Sequence, residues 1–288
     1  MTGALPRRRS NLPNVPRRSD LMAARGKRPR YIQAVLGAAS IVTGSSPAVA
    51  QDEENIRVRV GLGGQSVPKF IGADRNEWAP LWDVAVKRGT GPFDFEAPDD
   101  SFDITLVSMQ GFSAGPVANL QGGRTNSEAG APLGKLPKTF EAGGFVQYQA
   151  SKSVRLRAEF RKGIGGHEGI VAGLGADHVW RKGDRYLISI GPRLLLADAR
   201  FQRAWFGVDA AASGASGLKG YRPGGGPYAI AATSGFNYQF SQAVGLFGFA
   251  RYERLLGDAA KSPLVRQLGS STQLSAGAGI SYTFDIER

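Results

Sequence analysis

The sequence predicts an all-β chain: a transmembrane antiparallel up-and-down β-barrel of about 12 strands. Three observations lead there. After residue 50, apolar side chains recur with a period of two, and no apolar run is long enough for a membrane-spanning helix. The connections between the alternating segments are short and long by turns. Aromatic residues (Trp78, Trp82, Trp180, Tyr238, Phe240, Tyr282, Phe284) gather near segment ends, where a membrane barrel keeps its interfacial girdles.

The first 50 residues stand apart. Arg25, Lys27, Arg28 and Arg30 precede the apolar run AVLGAASIVTG (34–44), and Ala48-Val49-Ala50 follows. A basic region, a short oily region and an A-x-A site make a secretory signal peptide, with cleavage expected after Ala50. Residues 1–50 therefore read as an N-terminal extension and cleavable signal peptide, with Met22 a second candidate start beside Met1. Residues 51–288 read as the barrel. The leader also accounts for most of the charge. It holds nine of the 36 Lys and Arg and one of the 24 Asp and Glu, so 51–288 carry 27 against 23, or +4 of the total +12. A basic balance of that origin argues against a nucleic-acid partner. Cysteine is absent, which excludes a disulfide scaffold and thiol chemistry and suits a chain that crosses an oxidising periplasm.

The expected strands follow in order. IRVRVGL sets Ile56, Val58, Val60 and Leu62 opposite Arg57 and Arg59. EWAPLWDVAV (77–86), PFDFEA (92–97) and SFDITL (101–106) come next, then the weaker GFSAGPVANL (111–120) and FEAGGFVQYQ (140–149). VRLRAEFR (154–161) alternates without a slip: Val154, Leu156, Ala158 and Phe160 against Arg155, Arg157, Glu159 and Arg161. GIVAGLGADHVW, RYLISIGPRLLL, YAIAATSGFNYQF, AVGLFGFARY and QLSAGAGISYTF complete twelve candidates. Turns at 150–153, 181–184 and 241–242 are tight, while 126–139, 199–227 and 255–270 are long, the asymmetry of an outer-membrane barrel. An even strand number would leave both chain ends on the periplasmic side. A soluble sandwich would bury the oily faces in a core. The barrel instead sets them against outer-membrane lipid, and it makes Arg57, Arg59, Arg155, Arg157, Glu159 and Arg161 the lumen-facing candidates.

Several stretches together resemble the MipA/OmpV family of outer-membrane proteins. They are SVPKFIGADRNEWAPL (66–81), GFSAGPVANLQGGR (111–124), KGIGGHEGIVAGLGADHVW (162–180), GPRLLLADARFQRAWFGVDAAASGASGLKGYRPGGG (191–226) and ERLLGDAAKSPLV (253–265). Their order and combination carry the resemblance. It implies an outer-membrane barrel and, for the namesake, a non-enzymatic scaffold joining a lytic transglycosylase, a peptidoglycan hydrolase, to a peptidoglycan synthase. One departure concerns the end of the chain. Members close on the aromatic of the last strand, whereas here Asp285, Ile286, Glu287 and Arg288 follow Phe284.

The residues themselves point to no enzyme: no catalytic set, cofactor site or metal site emerges. Of two histidines, His167 sits in GGHEG beside Glu168 and reads as a glycine-held polar tip of a surface loop, available for an interaction. His178 shares parity with Leu174 and Trp180 and should face lipid. Glu159, Asp83, Asp103 and Asp177 could pair as glycosidase carboxylates, but they read better as counterions of luminal arginines. GLGG (61–64) and PGGGP (223–227) lack the setting of a phosphate loop and read as turns or bends. The 199–227 loop places Arg200 and Arg203 beside Phe201, Trp205 and Phe206, either an interaction surface or a plug folded inward on its rings. The arginine-bearing inner face also admits an alternative role, a narrow channel or small-molecule binding barrel.

Overall fold

The computed structural model describes residues 55–89 and 91–286. The expected signal peptide and the Ala50 cleavage site lie outside them. The chain forms one antiparallel sheet of twelve strands. These are β1 (Ile56–Pro68), β2 (Asn76–Arg88), β3 (Phe102–Asp103), β4 (Val107–Met109), β5 (Phe112–Gln121), β6 (Thr139–Ser151), β7 (Val154–Ile164), β8 (Ile170–Lys182), β9 (Tyr186–Ala197), β10 (Gly226–Gln239), β11 (Val244–Leu255) and β12 (Thr272–Ile286). Sequential strands pair as hairpins from β5 to β12. The first strand then joins the last, with Ile56 opposite Ile286. β12 thus runs on past Phe284, and Asp285 lies opposite Arg57. A Cβ at Gly63 would run into the Ala278 carbonyl, so glycine is what lets β1 and β12 close up there.

Alternation in sequence becomes two chemically distinct faces. On β7, Leu156 and Phe160 are 44% and 53% exposed, while Arg157 between them is 7% exposed. The outward row continues around the sheet through Leu62, Trp78, Trp82, Phe140, Val146, Leu174, Trp180, Ile188, Ile230, Tyr252 and Ile280, all exposed. A contiguous apolar belt of this size cannot be presented to water, and acyl chains are its solvent. His178 lies in this face against Trp180, ring centroids 4.2 Å apart. No helix among the described residues is long and apolar enough to cross a membrane.

Tight connections at 152–153, 183–185 and 240–243 share one end of the barrel with Ile56 and Ile286. The opposite end, extracellular by the loop asymmetry, carries the long connections. These hold the helices α1 (Asn126–Ala129), α2 (Ala199–Phe206), α3 (Ala210–Ser216), α4 (Gly257–Lys261) and α5 (Pro263–Leu268).

Two expectations about the wall are corrected. GLGG is no turn: residues 61–64 lie inside β1. PFDFEA is no strand either. Residues 92–97 pair with nothing in the sheet, and the 102–109 stretch that follows is split into β3 and β4, both on β5. β3 and β4 share one position, so eleven positions surround the lumen. With neighbours antiparallel throughout, an odd number leaves the two edges, β2 and β3/β4, running the same way. No strand pairing joins them among the described residues.

Candidate functional site: the occupied lumen

The segment missing from the wall is in the lumen. From the periplasmic end of β2 it climbs past the inner faces of the other strands and turns at Ala97–Asp100, where the Asp100 N–H donates to the Ala97 carbonyl (3.0 Å) and the Ala97 N–H to Asp100 Oδ2 (2.8 Å). The Phe93 ring lies beneath the Arg57 and Arg59 guanidiniums, 5.2 and 5.0 Å from its centroid. The Arg155 guanidinium lies 4.6 Å from the centroid of the Phe95 ring. Such contacts let an aromatic side chain rest in a charged interior.

Two adjacent carboxylates anchor the turn. Asp99 accepts from Arg193 (2.9 Å), from Thr233 Oγ1 (3.0 Å) and from Arg251. Asp100 accepts from Arg155 at 2.5 Å, and Ser101 Oγ donates to Glu159 (2.7 Å) while accepting from Arg161 (2.9 Å). Three consecutive residues, Asp99, Asp100 and Ser101, therefore tie β7, β9, β10 and β11 to one another. Burial alone would raise the Asp99 carboxyl, but Arg251 and Arg193 outweigh it and hold it below the usual carboxylate range. Glu96 goes the other way. Burial, then the charges of Asp100, Asp103 and Asp83, push its carboxyl well up, against a smaller pull from Arg59.

The lumen-facing candidates all sit in this interior. Arg57 bonds Asp184 (3.0 Å) and Asp285 (3.3 Å), and Arg59 bonds Asp83 (2.6 Å). Arg155 is clamped between Asp100 and Asp177 (2.6 Å). Arg157 meets Asp103 (2.7 Å) and Glu159 (2.8 Å) with its guanidinium 4.1 Å from the Phe145 centroid, and Arg161 meets Glu141 (2.9 Å) and Glu159. The four carboxylates weighed as glycosidase acids are each engaged by a guanidinium, and among the described residues no cluster of His, Asp and Glu has the arrangement of a metal site. Arg193, Arg251, Asp99 and Asp100 were not singled out from sequence. Arg193 and Arg251 occupy inward positions of recognisable strands, so parity could have found them; Asp99 and Asp100 carry no such signal, because their partners lie 55 to 152 residues away.

His167 departs from its expected place at an exposed loop tip. It is 2% exposed at the base of the extracellular cap. The Gly169 N–H donates to Nδ1 (2.9 Å), which leaves the proton on Nε2 to be donated to Glu141 (2.9 Å). Its ring meets Phe201 edge-on at 4.9 Å. Glu168, next to it, is exposed and pairs loosely with exposed Arg200 (3.6 Å).

The 199–227 connection folds inward on its rings. Asp198 caps α2 by accepting from the Phe201 N–H (2.8 Å). Phe201, Trp205 and Phe206 are at most 1% exposed, packed with Phe70, Tyr228, Leu255, Leu264 and Val265, while Arg203 stays in solvent. At the end of α2, the Trp205 carbonyl accepts from Arg124 (2.7 Å) and the Phe206 carbonyl from Ser262 Oγ (2.7 Å). Arg124 has no acidic partner among the described residues, and burial pulls its guanidinium down to about 10. Between cap and luminal turn remains a cavity of about 290 Å³, and below the turn one of about 90 Å³. The lumen is occupied, not open.

The chain is similar to several known proteins. Solved structures similar over most of their length include the N-terminal β-barrel domain of Pseudomonas aeruginosa OprF (9% identity, 81% of this chain and 100% of that one, TM-score 0.23). The NanC porin (8%, 79% and 98%, 0.35) and the outer membrane channel DcaP of Acinetobacter baumannii (7%, 80% and 96%, 0.36) are others. No curated protein matches the sequence. The family model of the MltA-interacting protein MipA matches residues 60–284, nearly the whole barrel, and the chain belongs to that family.

Proposed function

We propose that this outer-membrane barrel protein is a non-enzymatic, resting-closed scaffold that holds a lytic transglycosylase of the MltA type, and through it a peptidoglycan synthase, at the periplasmic face. Family membership carries the reading, since the family is described by its interaction with MltA. The occupied lumen supports it: with the interior filled by its own ion pairs, the surfaces are left to do the work. The periplasmic turns are short, but the mouth they frame has a recess of about 850 Å³ lined by Arg57, Asp184, Arg185, Tyr238, Phe240 and Asp285. Phe240 is exposed there, and an aromatic beside arginine is what an interface anchor requires.

The test is retention of a purified MltA-type transglycosylase on the immobilised, detergent-solubilised barrel. Wild type retains it, and Arg185→Glu with Phe240→Ala loses it. A folded wild-type barrel that retains neither transglycosylase nor synthase removes the scaffold role. The processed protein recovered from the envelope is expected to begin at Gln51.

A further inference from the structure

The seam and the luminal segment explain each other. β2 and β3/β4 are the two edges of the wall, and they run in the same direction because the chain between them has left it. A bare strand edge has no water to bond in hydrocarbon, so such an edge calls for a partner. The partner of matching direction is already at hand. Segment 91–101 runs antiparallel to both edges, and Lys87 of β2 bonds its Asp94 (2.9 Å).

Its sequence fits the vacancy. Continuing the register of the Ala97–Asp100 turn down the following strand would set Phe95 beside Phe102 and Asp94 beside Asp103. Phe102 is exposed on the lipid side, and Asp103 is buried on the luminal side. The alternation of PFDFEA thus agrees with the wall: Phe93 and Phe95 toward lipid, Asp94 and Glu96 toward the lumen. The lips of the seam are apolar, with Trp82 on one side and Leu106 and Met109 on the other, all exposed. Gly89, at φ 79°, supplies a hinge that a side chain would resist.

We propose that segment 91–101 is an exchangeable strand: docked in the lumen it blocks the barrel, and inserted between β2 and β3/β4 it completes a twelve-position antiparallel wall and opens a path for small anions. The charge preference follows from what leaves. Asp99 serves Arg193 and Arg251, and Asp100 serves Arg155 and Arg157. Once both aspartates withdraw, four guanidiniums each lose one counterion in the emptied lumen. This conducting activity goes beyond the scaffold reading and stands without it.

The absence of native cysteine allows a direct test. Asp99→Cys with Thr233→Cys, whose native side chains touch, is bridged by a short reducible bis-thiosulfonate and placed in planar bilayers under a KCl gradient. The bridged barrel is expected to be silent. After reduction, openings appear with a reversal potential displaced toward that of chloride. Silence after reduction, from a barrel that still shows the heat-modifiable gel mobility of a folded one, overturns the proposal. A second variant follows the strand. A bimane on Phe95→Cys, in an Asp99→Asn, Asp100→Asn background, should be quenched by nitroxides in the acyl region. A bimane still shielded from lipid while the barrel conducts overturns insertion into the wall.

Discussion

At the extracellular end, Phe201, Trp205 and Phe206 meet Phe70, Leu255 and Leu264 with almost no solvent between them. A few residues below, Asp99 and Asp100 are held in the same barrel by four arginines. The first narrows the extracellular mouth and the second fills the lumen. The first does so by apolar burial, which is non-directional and indifferent to pH and salt. The second does so by charge, where each group is stable only while its partner stays. The cap is therefore expected to stay in place whatever the pH and salt, and the luminal turn to be the removable obstruction.

The largest effect separates the two regions cleanly. Trp205→Ala empties a fully buried site and should destabilise the cap by about 3–5 kcal/mol, seen as a lower melting temperature with little change in salt dependence. Arg155→Ala should rival it, at about 3 kcal/mol or more, because it leaves Asp100 and Asp177 buried without their shared cation. Thermal unfolding of the Arg155→Ala, Asp100→Asn, Asp177→Asn triple variant should recover part of that loss. If the triple variant is no more stable than Arg155→Ala, the charges are not what holds this region.

A smaller effect sharpens the contrast through pH. The Glu96 carboxyl is raised, so its contribution to docking is complete below the ordinary carboxylate value and is lost as pH rises through the raised one. Asp99 is depressed, so its contribution is complete above the ordinary value and is lost only as pH falls through the lowered one. The luminal segment should be most secure in mildly acidic solution, and Glu96→Gln should keep it secure at neutral pH. Hydrogen exchange of residues 92–101, corrected for its intrinsic pH dependence, checks this; protection that does not change between acidic and neutral pH contradicts it. The cap should show no such response. The smallest effect lies at the periplasmic rim. Asp285 is half exposed in its pair with Arg57, and Asp285→Ala should cost about 1 kcal/mol or less in thermal stability.

Much of the wall was legible because a strand's period of two states which residues share a face, and VRLRAEFR needs nothing more than that. The same rule misplaced PFDFEA. Alternation describes two faces but not what lies beside the strand, and the partners that draw this segment inward come from β7, β9, β10 and β11. His167 was misread for a related reason. Its glycine neighbours suggest an exposed turn, while the buried Glu141 that holds it sits 26 residues earlier on β6. The 199–227 rings offered two readings, and the choice between them depends on Phe70 and Leu264, far off in sequence at the same end of the barrel.

The central claim is that lipid, and not protein or water, covers the outward face while the cap rings are sealed inside. The four tryptophans divide along that line: Trp78, Trp82 and Trp180 are exposed on the outer face, and Trp205 has no exposure. Single-tryptophan variants reconstituted with brominated acyl chains test it directly. Strong quenching of Trp78, Trp82 and Trp180, with Trp205 untouched, is the result expected. Equal quenching of all four, or none at the outer three, would contradict the arrangement described.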